Sequence, residues 1–466
     1  MDHSSFNSTV SQHEIIQPLS TKKTSQTILQ SLNSTQLTIY KIGAGFSYIL
    51  AYVYVLMLWE NRSTYYFPLS LVFIACIETG ITDKKKSYLS TNNNTIETNF
   101  FLFTTLAQAL SLTIWGYGND EVALFQFVMI HISFVFYVLA RSNWLSQERL
   151  GILVWYDFLT GFFKLPFSHL FLRLSTLLFH ATTRSTEQSH HKRPVYILKI
   201  FSILAISIGL TIYLVTFVGG QLIQVSNAFA NTINSIYLTF LDTLNLFHHI
   251  DVTLLFLHWL FSLPIGAWLF GLIAGSILKR PEKRLNYQIF QNTLIPFRVF
   301  PPFTAYILIG SLCFIYLLFF AVGISQIAEL LSLQGISPQH ASSTAVSGFW
   351  QLVRVSLLNF AVLGGFYLVG RQPLWEQKTT RWLVTLLFIF TSLLALLAAW
   401  KLFAIYIFFY GPTPLRLLSG WFILVLLVWC GLTITRFFRP IQAIRYGIFY
   451  AVFSFTMLSY IYHFIL

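Results

Sequence analysis

The chain has 466 residues, 56% of them hydrophobic and only 10% charged, with a formal net charge of +13. A soluble domain carries about 25% charged residues, so the composition excludes one. The apolar residues fall in repeated runs of about 20, the length that crosses a bilayer as a helix.

The expected fold class is therefore all-α, a polytopic transmembrane helical bundle whose first partner is the lipid bilayer. A β-barrel would show short alternating strands instead. The basic excess is not read as a nucleic-acid signal, because Lys and Arg sit in short loops between the oily runs, as membrane topology requires. Cys76, Cys313 and Cys430 each lie inside an apolar run without paired spacing. They read as packing residues, not as a disulfide frame or a zinc site.

Residues 1–38 are polar and rich in Ser, Thr and Asn, with Lys22 and Lys23, and read as a disordered cytoplasmic tail. No apolar core follows a charged start, so no cleavable signal peptide is expected. About eleven spans follow, at roughly 40–59, 64–82, 99–115, 122–140, 196–218, 252–276, 303–324, 347–370, 382–407, 416–435 and 446–466. They divide into a four-span bundle at about 39–140, a cytoplasmic loop at about 141–195, and a seven-span bundle at about 196–466. Lys84, Lys85 and Lys86, the cations of 141–195, Lys279, Arg280, Lys283 and Arg284, then Arg371, Lys378 and Arg381, and finally Arg436, Arg439 and Arg445 all fall on one side if the N-terminus is inside. That agreement predicts a cytoplasmic N-terminus and an outside C-terminus. The glycosylation patterns at Asn7, Asn33 and Asn93 then fall on the cytoplasmic side and read as chance.

Two apolar stretches do not fit as simple spans. Residues 153–180 mix aromatics with Asp157, Lys164, His169 and Arg173. They predict interfacial helices with basic side chains toward anionic headgroups; the rival reading is a re-entrant or spanning pair divided at Pro166. Residues 221–250 are amphipathic and are expected outside, capping the outer face or lining a cavity.

A charge in hydrocarbon costs about 2.5–3.5 kcal/mol even on the lenient insertion scale, so intramembrane ionisable groups lead the functional reading. Glu78, His131 and His258 are the candidates inside spans two, four and six. Arg354 in span eight and Lys401 in span nine should lie in the outer half of the bilayer, and Arg416 opens span ten at the outer surface. Tyr410-Gly411-Pro412-Thr413-Pro414 forms the turn before it. Gly411 permits unusual backbone angles, both prolines fix φ, Thr413 is placed as an N-cap and Pro414 suits a first helical turn. The turn should be stiff. Arg354, Lys401 and Arg416 are accordingly proposed as an outward anion site; the plainer reading is that they snorkel to headgroups or pair with Glu329 and Asp242. His248, His249 and Asp251 form a second cluster near His258. It is a weak metal candidate because its spacing matches no compact motif, and a pH-sensitive or interfacial role is the rival. No phosphate-binding loop, dinucleotide fingerprint or hydrolase signature is present, so neither cofactor nor catalytic residues are assigned.

Two patches resemble a bacterial family of multi-span membrane proteins catalogued as a domain of unknown function. One runs from Gln326 to Leu352 and on through Arg354, and contains Gly348-Phe349-Trp350-Gln351-Leu352. The other comprises Lys401, Tyr406 and the turn from Tyr410 to Arg416. The resemblance covers roughly 290–440. Ser347 departs from it where a basic residue is expected, Pro412 stands for Leu, and the chain stops where the family often continues. The resemblance implies a bacterial inner-membrane protein and supplies no reaction. The expected function is transport or handling of a small solute, anion or lipid. The alternative is a sensor, regulatory or scaffold protein with a partner on the basic cytoplasmic loops, followed by an enzyme acting on a lipid-linked substrate.

Overall fold

The computed structural model describes residues 32–88, 95–116, 120–179, 252–278, 287–331 and 338–465, with single positions 29, 118, 231, 235 and 285. Its main helices are α1 (Ser34–Trp59), α2 (Tyr66–Tyr88), α3 (Thr95–Trp115), α4 (Glu121–Arg141), α5 (Val154–Leu159), α6 (Leu165–Ser168), α7 (Leu172–Leu178), α8 (Val252–Leu278), α9 (Tyr287–Leu294), α10 (Pro302–Leu331), α11 (Pro338–Val369), α12 (Lys378–Trp400), α13 (Pro414–Phe438) and α14 (Ala443–Ile465). Among the described residues there is no strand, only an isolated parallel bridge between Phe300 and Gly370.

Among the described residues, 9 helices are long and apolar enough to cross a bilayer. They correspond to all the expected spans but two. The span expected at 196–218 lies outside the described residues, as does almost all of 221–250. The span expected at 99–115 is a helix, α3, but is not among the 9. Its polar side chains are the reason: Glu97, Thr98, Thr104, Thr105, Gln108 and Ser111 are all buried. Glu97, Gln108 and Ser111 reach the last helix. Gln108 Nε2 donates to Thr456 Oγ1 at 3.1 Å, Ser111 Oγ to the Ser459 carbonyl at 3.1 Å, and Tyr460 Oη to the Ala107 carbonyl at 2.6 Å. These bonds join α3 to α14 across nearly the whole sequence. In an apolar interior an unpaired polar group is costly, so these bonds favour packing α3 against α14.

The helical start also differs from the sequence reading. α1 begins at Ser34, within the expected tail, where Gln36 accepts from the Asn33 N–H at 3.3 Å in a capping box.

Among the described residues, two large apolar cores share the interior. The first gathers α1 to α4, residues 145–172 and the second half of α8. α8 therefore packs with the N-terminal helices, although the sequence grouped it with the later spans. The second core gathers α10 to α13 and contains a neutral polar ladder. Tyr316 Oη donates to Asn359 Oδ1 at 2.8 Å, and Asn359 Nδ2 donates to Thr391 Oγ1 at 2.9 Å. Phe125, Trp421 and Phe455 bridge the cores, with ring centroids 4.9–5.4 Å apart.

The segment 154–178 runs as short helices broken by a π-helical stretch, Thr160–Lys164. Lys164 is exposed, but His169 and Arg173 turn inward and are buried. Glycines of α8 make room for them. A Cβ on Gly275 would meet the His169 ring at 2.8 Å, one on Gly271 the Pro166 carbonyl oxygen at 2.8 Å, and one on Gly266 the Arg173 guanidinium at 2.4 Å. Arg173 lies 3.2 Å over the Tyr48 ring and donates to the Leu263 carbonyl at 3.2 Å.

Candidate functional site

The corner between α12 and α13 is built by local backbone chemistry. α12 continues through a π-helical stretch, Lys401–Ile407, and a last turn, Phe408–Tyr410. Gly411 N donates to the Ile407 carbonyl at 2.8 Å, and the chain then leaves the helix with Gly411 at φ 74° and ψ 170°. Essentially only glycine adopts that region. Thr413 caps α13: its hydroxyl accepts from the Arg416 N–H at 3.4 Å, with Pro414 at the first helical position. The Arg416 guanidinium folds back onto the corner, donating from Nη1 to the carbonyls of Tyr410 at 2.9 Å and Gly411 at 2.5 Å. It also stacks 4.1 Å from the centroid of the Tyr406 ring.

Beside this corner lies a cavity of about 100 Å³. α11 contributes Phe349 and Trp350, the π-helical stretch contributes Lys401, Leu402 and Tyr406, and α13 contributes Leu415, Arg416 and Ser419. The π geometry matters here. Its i to i+5 hydrogen bonds widen the turn, and Lys401 and Tyr406 line the same cavity; in an α-helix, residues five apart diverge. Among the described residues the cavity is therefore lined by two cations, three aromatic side chains and the hydroxyls of Tyr406 and Ser419, with no carboxylate. Its rim is apolar: Trp350 is 46% exposed and Leu415 49%.

Of the three cations assigned to one site from the sequence, the structure brings Lys401 and Arg416 together. Arg354 stands one turn beyond Trp350 on α11, exposed and outside the lining. Glu329 and Asp242, the carboxylates considered as partners, contribute no described side chain.

The other intramembrane candidates scatter. Glu78 accepts from Arg141 Nε and Nη2, both at 2.6 Å, and from Tyr137 Oη at 2.8 Å. It is one half of a bidentate ion pair. His131 lines a second cavity of about 90 Å³ between α1, α2, α3, α4 and α8. Both its ring nitrogens are engaged, Nδ1 with the Phe127 carbonyl at 2.6 Å and Nε2 with Tyr54 Oη at 2.5 Å. That is a satisfied core histidine. His258 is 2% exposed, edge-on to Tyr52 and Trp59 at 6.4 and 5.3 Å, and its Nε2 has no hydrogen-bond partner among the described residues. His248, His249 and Asp251 lie outside the described residues. Among the described residues, no group of three His, Cys, Asp or Glu could hold a metal.

The chain matches the family model described as "Domain of unknown function (DUF4153)" over residues 101–462. It belongs to that family. The match reaches well beyond the 290–440 on which the resemblance rested, and both resembling patches fall within it. They are also neighbours in space: Phe349 and Trp350 of one and Lys401, Tyr406 and Arg416 of the other line the same cavity. No curated protein and no solved structure matches the chain.

Sequence reasoning missed the aromatic wall as part of the site, although Phe349 and Trp350 stood within a quoted motif. It also missed the pair between Arg445 Nε and Glu97 Oε1 at 2.8 Å. Its partners begin helices far apart in the chain, and no local spacing signals it.

Proposed function

We propose that this multi-pass membrane protein handles an anionic solute or lipid, and that the cavity formed by Lys401, Arg416, Tyr406 and Trp350 is where the anion binds. The observation that carries this reading is the cavity itself, in which two cations face one space and no carboxylate lines it among the described residues. A cation inside a membrane protein is expected to pair or to serve a ligand. Arg416 engages backbone carbonyls and an aromatic ring. Those neutral partners fix its position and leave its positive charge for another group.

The protein is further proposed to sit in a bacterial inner membrane with its N-terminus inside. The basic loops support this through the positive-inside rule, and the cavity then opens in the outer half of the bilayer. Transport or solute handling is the first reading of its role. A second reading, a sensor with a protein partner on the basic cytoplasmic loops, draws support from the corner, where the glycine conformation, the N-cap and the arginine clamp constrain the same few residues.

The test is ligand-dependent stability. Purified protein in a non-ionic detergent is unfolded thermally with inorganic phosphate, sulfate or short-chain phosphatidylglycerol. At least one anion raises the midpoint of the wild type and leaves Lys401→Gln unmoved. If no anion acts, or all act equally on both proteins, the reading fails.

A further inference from the structure

The walls of the cavity are unequal, and the inequality points to the kind of anion. One side is cationic: Arg416 at the corner, and Lys401 roughly two and a half turns before Tyr410. The other side is Phe349, Trp350 and Leu415. Trp350 and Leu415 are exposed and each is the second residue of a segment apolar and long enough to span a bilayer, so the rim lies at one end of those spans, the level where headgroups meet acyl chains. A free inorganic anion is strongly hydrated and gains nothing from indole and leucine. An anion that carries its own apolar body gains from both walls. The space, about 100 Å³, is several times what one water needs. The neighbouring Phe403 is also exposed on this flank, and its ring fills the space over Gly420, where a Cβ would stand 2.7 Å from it. The apolar surface therefore continues beside the opening.

We infer that the ligand is a phosphate-headed amphiphile, a glycerophospholipid or a molecule of the same build, which enters sideways from the surrounding leaflet. This rests on the anion-binding reading above. The phosphate lies between Lys401 and Arg416, the two charges being staggered in depth. Trp350 and Leu415 flank the glycerol and upper acyl region. Lys401 supplies the pull: as a compact ammonium, it draws the phosphate below the level of its neighbours in the leaflet. Arg416, already clamped by two carbonyls, positions the upper edge.

Native mass spectrometry of the full chain decides this. The protein is released from lipid discs of phosphatidylcholine, with or without phosphatidylglycerol, and also with inorganic phosphate added to the phosphatidylcholine discs. The expected result is a one-to-one phosphatidylglycerol adduct that survives delipidation. It falls at least tenfold in Lys401→Gln and in Trp350→Ala, and persists in Lys164→Gln, a remote exposed cation. Arg416→Gln is not the first choice, because its guanidinium also holds the corner. Retention of both lipids alike, or an adduct unchanged in Lys401→Gln, overturns the inference. Phosphate binding that depends on Lys401 in the absence of any lipid adduct also overturns it, while leaving the anion reading standing. If neither lipid nor phosphate binds, both fall.

Discussion

Two regions of the molecule treat charge in opposite ways. Where α2, α3, α4 and α14 meet at one end of the bundle, carboxylates and guanidiniums pair across helices, Glu78 with Arg141 and Glu97 with Arg445. At the corner between α12 and α13, Lys401 and Arg416 face aromatic rings, backbone carbonyls and a cavity. Paired charges close their own electrostatic demand and hold helices together. Cations held by neutral groups keep their demand and can direct it at a ligand. The difference separates architecture from candidate function more sharply than intramembrane position alone, since Glu78 and Lys401 are both ionisable groups inside expected spans.

The largest expected effect tests the architectural half. Glu97 is 1% exposed and the Arg445 side chain 14%. Glu97→Ala strands a mostly buried guanidinium and should cost about 3–5 kcal/mol, read as the unfolding midpoint in a mixed-micelle SDS titration. Adding Arg445→Met should restore much of that loss, because replacing both members of a buried pair by apolar groups is often neutral. A single variant as stable as the wild type would remove the contrast on which the comparison rests.

The corner tests the same contrast through the backbone. Gly411 stands at φ 74° and ψ 170°, so Gly411→Ala should cost about 1–3 kcal/mol and weaken anion binding with it, because the Arg416 clamp closes on the Gly411 carbonyl. Thr413→Ala removes an N-cap and should cost about 1 kcal/mol, with binding retained. If Thr413→Ala abolished binding while Gly411→Ala spared it, the clamp would not be what positions Arg416.

What could be seen in advance follows from the range of each interaction. Spanning helices announce themselves through run length, and the corner through Gly411, Pro412, Thr413 and Pro414, each of which restricts its own backbone. The order of the spans also carries an expectation about depth, with Arg354 and Lys401 in the outer half of the bilayer and Arg416 at its outer surface. It carries none about which way a side chain faces around its helix. That is why Arg354 was grouped with the other two and Trp350, one turn away, was not. The π-helical stretch at Lys401–Ile407 carries no residue signature, yet it sets the wall of the cavity. Pairs such as Glu97 with Arg445 and Gln108 with Thr456 depend on which helices become neighbours, and no local pattern states that. The inward turn of Arg173 depends likewise on the space left at Gly266.

The smallest expected change in stability is also the most discriminating. Lys401→Gln should alter stability by no more than about 1 kcal/mol, because Lys401 holds no carboxylate in the cavity and a cation within a membrane carries a cost of its own. The same substitution should abolish the thermal response to anions. A cation that matters to the ligand and little to the fold is the reverse of what Glu97→Ala should show for Arg445. If Lys401→Gln instead lost 2 kcal/mol or more, on the scale of a broken structural pair, the ammonium would be part of the scaffold. The cavity would then be a by-product of how α11, α12 and α13 meet, and the two ends of the molecule would be using charge in the same way.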